Sequence, residues 1–87
     1  MATLLILHEV DDVEHWLASP KRDEFFGGMG VTPRTFRDPE NANRVGLILD
    51  GVPDLAAFEK AMQSAEAAEA MRHDGVRPET IVTLVEA

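Results

Sequence analysis

The chain of 87 residues has no cysteine. No disulfide can staple it, and no thiolate can act as nucleophile or metal ligand. Basic residues are also few: eight Lys and Arg face sixteen Asp and Glu, a formal charge of −8. Phosphate backbones need a cationic surface, so nucleic acid is not an expected partner, and an anionic membrane would repel the chain. No apolar run approaches the ~20 residues that span a bilayer. Met1-Ala2-Thr3 leads straight into an apolar segment without a basic n-region or cleavage pattern, so a cytoplasmic protein is expected. No GxGxxG opens a helix after a strand, and no HExxH or paired-histidine spacing marks a metal site. Ser19 and Ser64 sit beside helix breaks without a nucleophile elbow, which argues against a Ser-His-Asp triad.

What is present is apolar density. Thr3-Leu4-Leu5-Ile6-Leu7, Val45-Gly46-Leu47-Ile48-Leu49 and Thr80-Ile81-Val82-Thr83-Leu84-Val85 do not alternate apolar with polar. Such runs read as strands buried on both faces. A domain of this size buries only roughly 60–65% of the surface its unfolded chain exposes. Further burial from a second copy of the chain is therefore expected.

One domain, 1–87, accounts for the whole length. The first strand runs from Ala2 to Val10, and Asp11 or Asp12 can cap a helix carrying Val13, Trp16 and Leu17 on one face. Ser19-Pro20 interrupts it, Lys21 to Phe26 continues, and Gly27-Gly28 ends it. Met29 to Arg37 reads as a second strand. Pro33 inside it donates no ladder bond, which puts this strand at a sheet edge or at a bulge. The polar turn Asp38 to Asn43 joins it to a third strand, Arg44 to Asp50. Asp54 then caps a helix with Leu55, Phe58 and Met62 at helical spacing. Ser64 to Arg72 extends or restarts that helix, with Ala65, Ala68 and Met71 in its buried stripe. Gly75 is an expected left-handed cap. Pro78 precedes a last strand, Glu79 to Glu86. The order is βαββαβ: an α+β, ferredoxin-like fold with two helices on one face of a four-stranded antiparallel sheet. The other face is left bare.

His8-x-Val10-Asp11-Asp12 leading to Trp16, Gly30-Val31-Thr32, and Thr35-Phe36-Arg37-Asp38-Pro39-x-Asn41-x-Asn43-Arg44-Val45 together resemble small members of the dimeric α/β-barrel superfamily. They are similar to antibiotic-biosynthesis-monooxygenase-like domains. The resemblance implies a homodimer through the bare sheet faces and one pocket per protomer. The superfamily includes cofactor-free oxygenases of aromatic compounds, haem-degrading enzymes and lactone isomerases, so the fold alone does not select a reaction.

His8 is the first candidate for chemistry, as base or hydrogen-bond donor near the end of a central strand; a strand-end histidine bonded to a neighbour is the plainer account. Trp16 can line an aromatic pocket or simply pack the first helix on the sheet. Arg34 and Phe36 alternate along one face of the second strand and can present a cation and a ring to an enolate or phenolate, or Arg34 can pair with an acidic residue. Gly46 in a central strand makes room for a ligand or for a partner sheet. His15 is expected in solvent, and His73 at a helix C-terminus, where a cation suits the dipole. Haem-degrading relatives carry a histidine on the second helix, the place of His73, but the asparagine they place on strand one is absent. Two functions follow as expectations, both without cofactor or metal: a cofactor-independent oxygenase or isomerase-type enzyme acting on a hydrophobic or aromatic metabolite, and a non-catalytic small-ligand-binding or interaction module. A haem protein is a minor third.

Overall fold

The computed structural model describes all 87 residues, Met1–Ala87. Four strands, β1 (Ala2–Val10), β2 (Pro33–Arg37), β3 (Arg44–Val52) and β4 (Val76–Val85), form one antiparallel sheet in the order β2-β3-β1-β4. The connections carry four short helices: α1 (Val13–Ala18), α2 (Lys21–Gly27), α3 (Leu55–Met62) and α4 (Ala65–Asp74). The ferredoxin-like plan holds, and each crossover helix is broken in two.

Both breaks have local causes. The residue before a proline is barred from helical backbone; Ser19 accordingly sits at ψ 136°, and α2 starts after Pro20. In the second crossover, the Ser64 hydroxyl accepts from the Ala67 amide and restarts the chain as α4. The restart changes the helix phase. Ala67, Ala70, Met71 and Asp74 face the sheet, whereas Ala65 and Ala68 of the expected stripe are exposed. Asp12 rather than Asp11 caps α1, accepting from the Glu14 and His15 amides at 3.0 and 3.3 Å. Such a cap is worth about 1 kcal/mol. Gly75 closes α4 at φ 72°.

Strand ends differ from the sequence reading in three places. β2 begins at Pro33, not Met29, because Gly30 turns the chain at φ 73° and the Val31 amide bonds back to the Phe26 carbonyl. Its position at the edge fits the missing proline donor. β3 continues past Asp50 to Val52 through Gly51, at φ 69°. β4 begins at Val76 and takes Pro78 into an edge bulge. Pairing with β1 jumps there from Leu7–Val82 to Glu9–Arg77. The Thr80 hydroxyl accepts from the Glu9 amide at 2.8 Å and donates to the Arg77 carbonyl at 2.6 Å, which satisfies the interrupted ladder. His8 is the β1 residue that faces this gap.

The even-numbered residues of β1, with Val45, Leu47 and Leu49 of β3, point toward the helices. Leu4, Ile6, Val10, Trp16, Phe26 and Phe58 join them in one buried cluster. Each fully buried Leu, Val or Phe contributes about 1.5–3 kcal/mol. No helix covers the opposite face. There Leu5, Leu7 and Ile48 are half-buried, and Phe36, Val82 and Leu84 are about half exposed.

Candidate functional site

Between the sheet and the helices lies a cavity of about 60 Å³, opening into about 540 Å³ of empty space when its mouth is counted. Eleven of its fourteen lining residues are hydrophobic. The three that are not, His8, Arg22 and Asp74, concentrate whatever polar chemistry it can do.

His8 is brought here by strand parity: it shares the helix-facing side of β1 with Leu4 and Ile6, and is only 5% exposed. Its Nδ1 lies a long 3.5 Å from the Glu9 carbonyl, and no protein group bonds its Nε2. Burial lowers its pKa below the ordinary 6.5, with the Glu9 carbonyl opposing and the nearby Arg22 charge adding to the shift. The ring is therefore neutral at physiological pH, with one nitrogen free to accept a proton.

Trp16 stands edge-on to His8, ring centroids 5.6 Å apart at 78°. On its indole rests the Arg22 guanidinium, with Cζ 4.2 Å from the ring centroid. This is cation–π geometry. Arg22 Nη1 donates to the Trp16 carbonyl at 2.8 Å, tying the end of α1 to α2. Its Nε–H is buried and has no partner. Burial lowers the Arg22 pKa, while Asp23 and Asp74 raise it; the group stays cationic, as arginine does in proteins. Asp74, 4% exposed, completes the polar set from the last turn of α4.

The sheet separates the sequence-predicted residues. His8 and Trp16 come together in the cavity. Arg34, Phe36 and Gly46 lie on the opposite, bare face, so they do not share a site with His8. Arg34 pairs within the chain, with Asp50 at 2.6 Å. A Cβ on Gly46 would stand 3.1 Å from Leu7 Cδ2 and 3.9 Å from Phe36 Cβ, so the glycine accommodates these bare-face side chains. His73 does not line the cavity; its Nδ1 lies 2.9 Å from Asp74 Oδ1. The residue expected at the haem-ligand position is thus exposed and turned away from this cavity, its Nδ1 engaged with Asp74. His15, exposed as expected, reaches the His73 carbonyl with Nε2 at 2.8 Å.

Sequence reasoning missed Arg22 and Asp74. Lys21-Arg22-Asp23-Glu24 looks like a solvated helix start, yet Arg22 stands four residues before Phe26 on the same face. Asp74 follows Ala67 and Ala70/Met71 at the same helical spacing. Both signals were present, masked by the usual rule that charged residues stay outside.

No protein-family model and no curated protein matches the sequence. Solved structures do match the fold. One is a crystal structure of an antibiotic biosynthesis monooxygenase: 12% identical, TM-score 0.64, covering 100% of this chain and 97% of the other. The fold is that of the antibiotic-biosynthesis-monooxygenase-like proteins. A Deinococcus radiodurans protein assigned to the same monooxygenases has this fold too, at 11% identity and TM-score 0.55, covering 100% of this chain and 91% of that one. So does a Bacteroides thetaiotaomicron protein of unknown function described as a possible oxidoreductase, at 12% identity and TM-score 0.54, with 98% and 92% covered. At such identities the monooxygenase-like fold is what is shared.

Proposed function

We propose that the chain is a small enzyme that binds an acidic aromatic metabolite, a phenol or enol, in the cavity between sheet and helices, and acts on it without metal or flavin. The orphan Nε–H of Arg22 carries this reading. A buried donor without an acceptor costs about 1–3 kcal/mol, and more when charged. An anionic oxygen of a bound ligand would satisfy it. Neutral His8, with Nε2 unbonded, is the matching base, and Trp16 supplies an aromatic wall.

The chemistry then follows. His8 removes a proton, and Arg22 holds the resulting phenolate or enolate. In the oxygenase form, the substrate carbanion adds dioxygen to give a hydroperoxide, and loss of water leaves a carbonyl. The electrons come from the substrate, and dioxygen is the only co-reactant. In the isomerase form, His8 returns the proton to another carbon and nothing is oxidised. Fold likeness to an antibiotic biosynthesis monooxygenase favours the first form. The test is oxygen uptake with a panel of phenolic and enolic substrates. Turnover should fall about 10²-fold or more in His8→Ala, the usual scale for a lost general base. Unchanged turnover in that variant would sink the assignment.

One observation favours a second reading, a non-catalytic ligand-binding module: the cavity of about 60 Å³ is small for a polycyclic substrate. Ligand binding without oxygen uptake or isomerisation would select it.

Either reading includes a homodimer through the bare face. Support comes from Phe36, Val82 and Leu84, each about half exposed beside half-buried Leu5, Leu7 and Ile48. Apolar patches of this kind mark association surfaces. Sedimentation equilibrium at micromolar concentration should give twice the 9.6 kDa chain mass; a 9.6 kDa species alone would contradict it.

A further inference from the structure

We propose that His15, His73 and Asp74 bind one divalent transition-metal ion at the rim of the domain, with zinc the ion their donor chemistry fits. The site meets the cavity at Asp74, which belongs to both, but no step of the reaction proposed above uses that residue. His15 lies on α1, while His73 and Asp74 form the last turn of α4. Far apart in sequence, they meet because the β1–α1 and α4–β4 connections are adjacent: the Asp11 amide donates to the Gly75 carbonyl at 3.0 Å.

The donors are already gathered. One ligand atom from each residue lies within 4.8 Å of the other two. His73 Nδ1 and Asp74 Oδ1 are 2.9 Å apart, a spacing two ligands of one ion can keep. The His15 and His73 rings stand 5.4 Å apart, tilted by 34°. Zinc bonds of about 2.0–2.2 Å require the imidazole of His15 to move inward by about an ångström. His15 is exposed and can do so by a rotamer change that gives up its bond to the His73 carbonyl, while Asp74, 4% exposed, is a fixed anchor.

Charge gives a second, independent argument. Asp74 is a nearly fully buried carboxylate whose only hydrogen bond comes from an imidazole, and it has no salt bridge to lysine or arginine. Arg72 pairs with Glu69, and Arg77 with Glu9 and Asp11; Arg22 interacts with Asp74 electrostatically but makes no hydrogen bond or salt bridge to it. A nearly fully buried carboxylate with no cation bonded to it is costly, and a metal lowers that cost. The carbonyl end of α4 and the net charge of −8 favour a cation at the same place. Two imidazoles and one carboxylate, with open positions left for water, form a donor set that zinc, cobalt or nickel accepts and that calcium or magnesium does not favour.

The test uses the full, tag-free chain, stripped with EDTA and titrated with zinc chloride by calorimetry. Cobalt(II), followed by its visible absorption, serves as a spectroscopic reporter. One ion per chain is expected, with a melting temperature that rises with zinc concentration. His15→Ala and His73→Ala, both at exposed positions, should each weaken zinc at least tenfold with the fold intact by circular dichroism. His8→Ala should leave zinc affinity unchanged. Absence of saturable binding would overturn the proposal, as would zinc binding with wild-type affinity in both His15→Ala and His73→Ala.

Discussion

The two faces of this sheet are built from the same strands and face different fates. On one, Leu4, Ile6 and Leu49 are at most 2% exposed under the helices. On the other, one residue along, Leu5, Leu7 and Ile48 remain half-buried, and Leu84 is 51% exposed. Apolar content is similar, so hydrophobicity does not distinguish the faces; coverage does. The covered face also holds the buried polar residues His8, Arg22 and Asp74. The bare face holds polar residues too, but they are solvated, as in the Arg34–Asp50 pair, whose side chains are each 57% exposed. A charge in solvent is weakly coupled to its surroundings, and one in an apolar cavity strongly. On that difference rests the proposal that chemistry belongs to the covered face and assembly to the bare one.

The sharpest way to break the comparison is to truncate matched leucines. Leu4→Ala should cost about 2–5 kcal/mol, a large part of a stability of about 5–15 kcal/mol, and lower the urea midpoint accordingly. Leu84→Asp should do little to the monomer and shift the sedimentation equilibrium toward the 9.6 kDa chain. If Leu84→Asp unfolds the chain while Leu4→Ala is silent, the two faces have been assigned the wrong way round.

Arg22→Met should affect both stability and binding. It removes a buried charge with an unpaired Nε–H, but it also takes the cation away from the buried Asp74 carboxylate, and removing one member of a buried charge pair destabilises. The melting temperature should fall, the lost bond to the Trp16 carbonyl adding about 1 kcal/mol. Affinity for phenolate ligands should fall at least tenfold.

A smaller effect should appear in pH dependence. Burial lowers the His8 pKa, so below pH 6.5 the unfolded chain takes up a proton that the fold resists. The His8 contribution should therefore be flat above pH 6.5 and destabilising as pH falls from there toward the lowered folded value. Chemical denaturation of wild type and His8→Gln across this range isolates it: the difference between them should change below pH 6.5 and not above.

Much of this division was legible in the sequence. Unbroken apolar runs such as Leu4 to Leu7 read as strands buried on both sides, whereas in the single chain only the helix-facing side is buried, Leu5 and Leu7 being half-buried and Leu84 about half exposed; Pro33 announced an edge, and the βαββαβ order announced which face would be bare. Strand ends were less legible. The bulge at Pro78 to Thr80 depends on a hydroxyl standing in for a ladder bond, and β3 passes Asp50 only because Gly51 takes a left-handed turn. The site was half legible. Parity placed His8 with the core, and helical spacing placed Trp16 beside it. Arg34 and Phe36 looked equally suited to an anionic aromatic ligand, but parity along β2 and the pairing of Phe36 with Gly46 put them through the sheet from His8. Arg22 and Asp74 are buried because α2 and α4 begin where Pro20 and Ser64 set their phase, and that phase depends on breaks that composition only hints at.

The assignment of chemistry to the covered face is tested most directly by side-chain NMR of the labelled chain during titration with an acidic phenol. Resonances of the Arg22 Nε–H and the His8 ring should shift together and saturably, with Arg34 and Phe36 shifting little. Saturable shifts confined to Arg34 and Phe36, with Arg22 and His8 unmoved, would contradict the account.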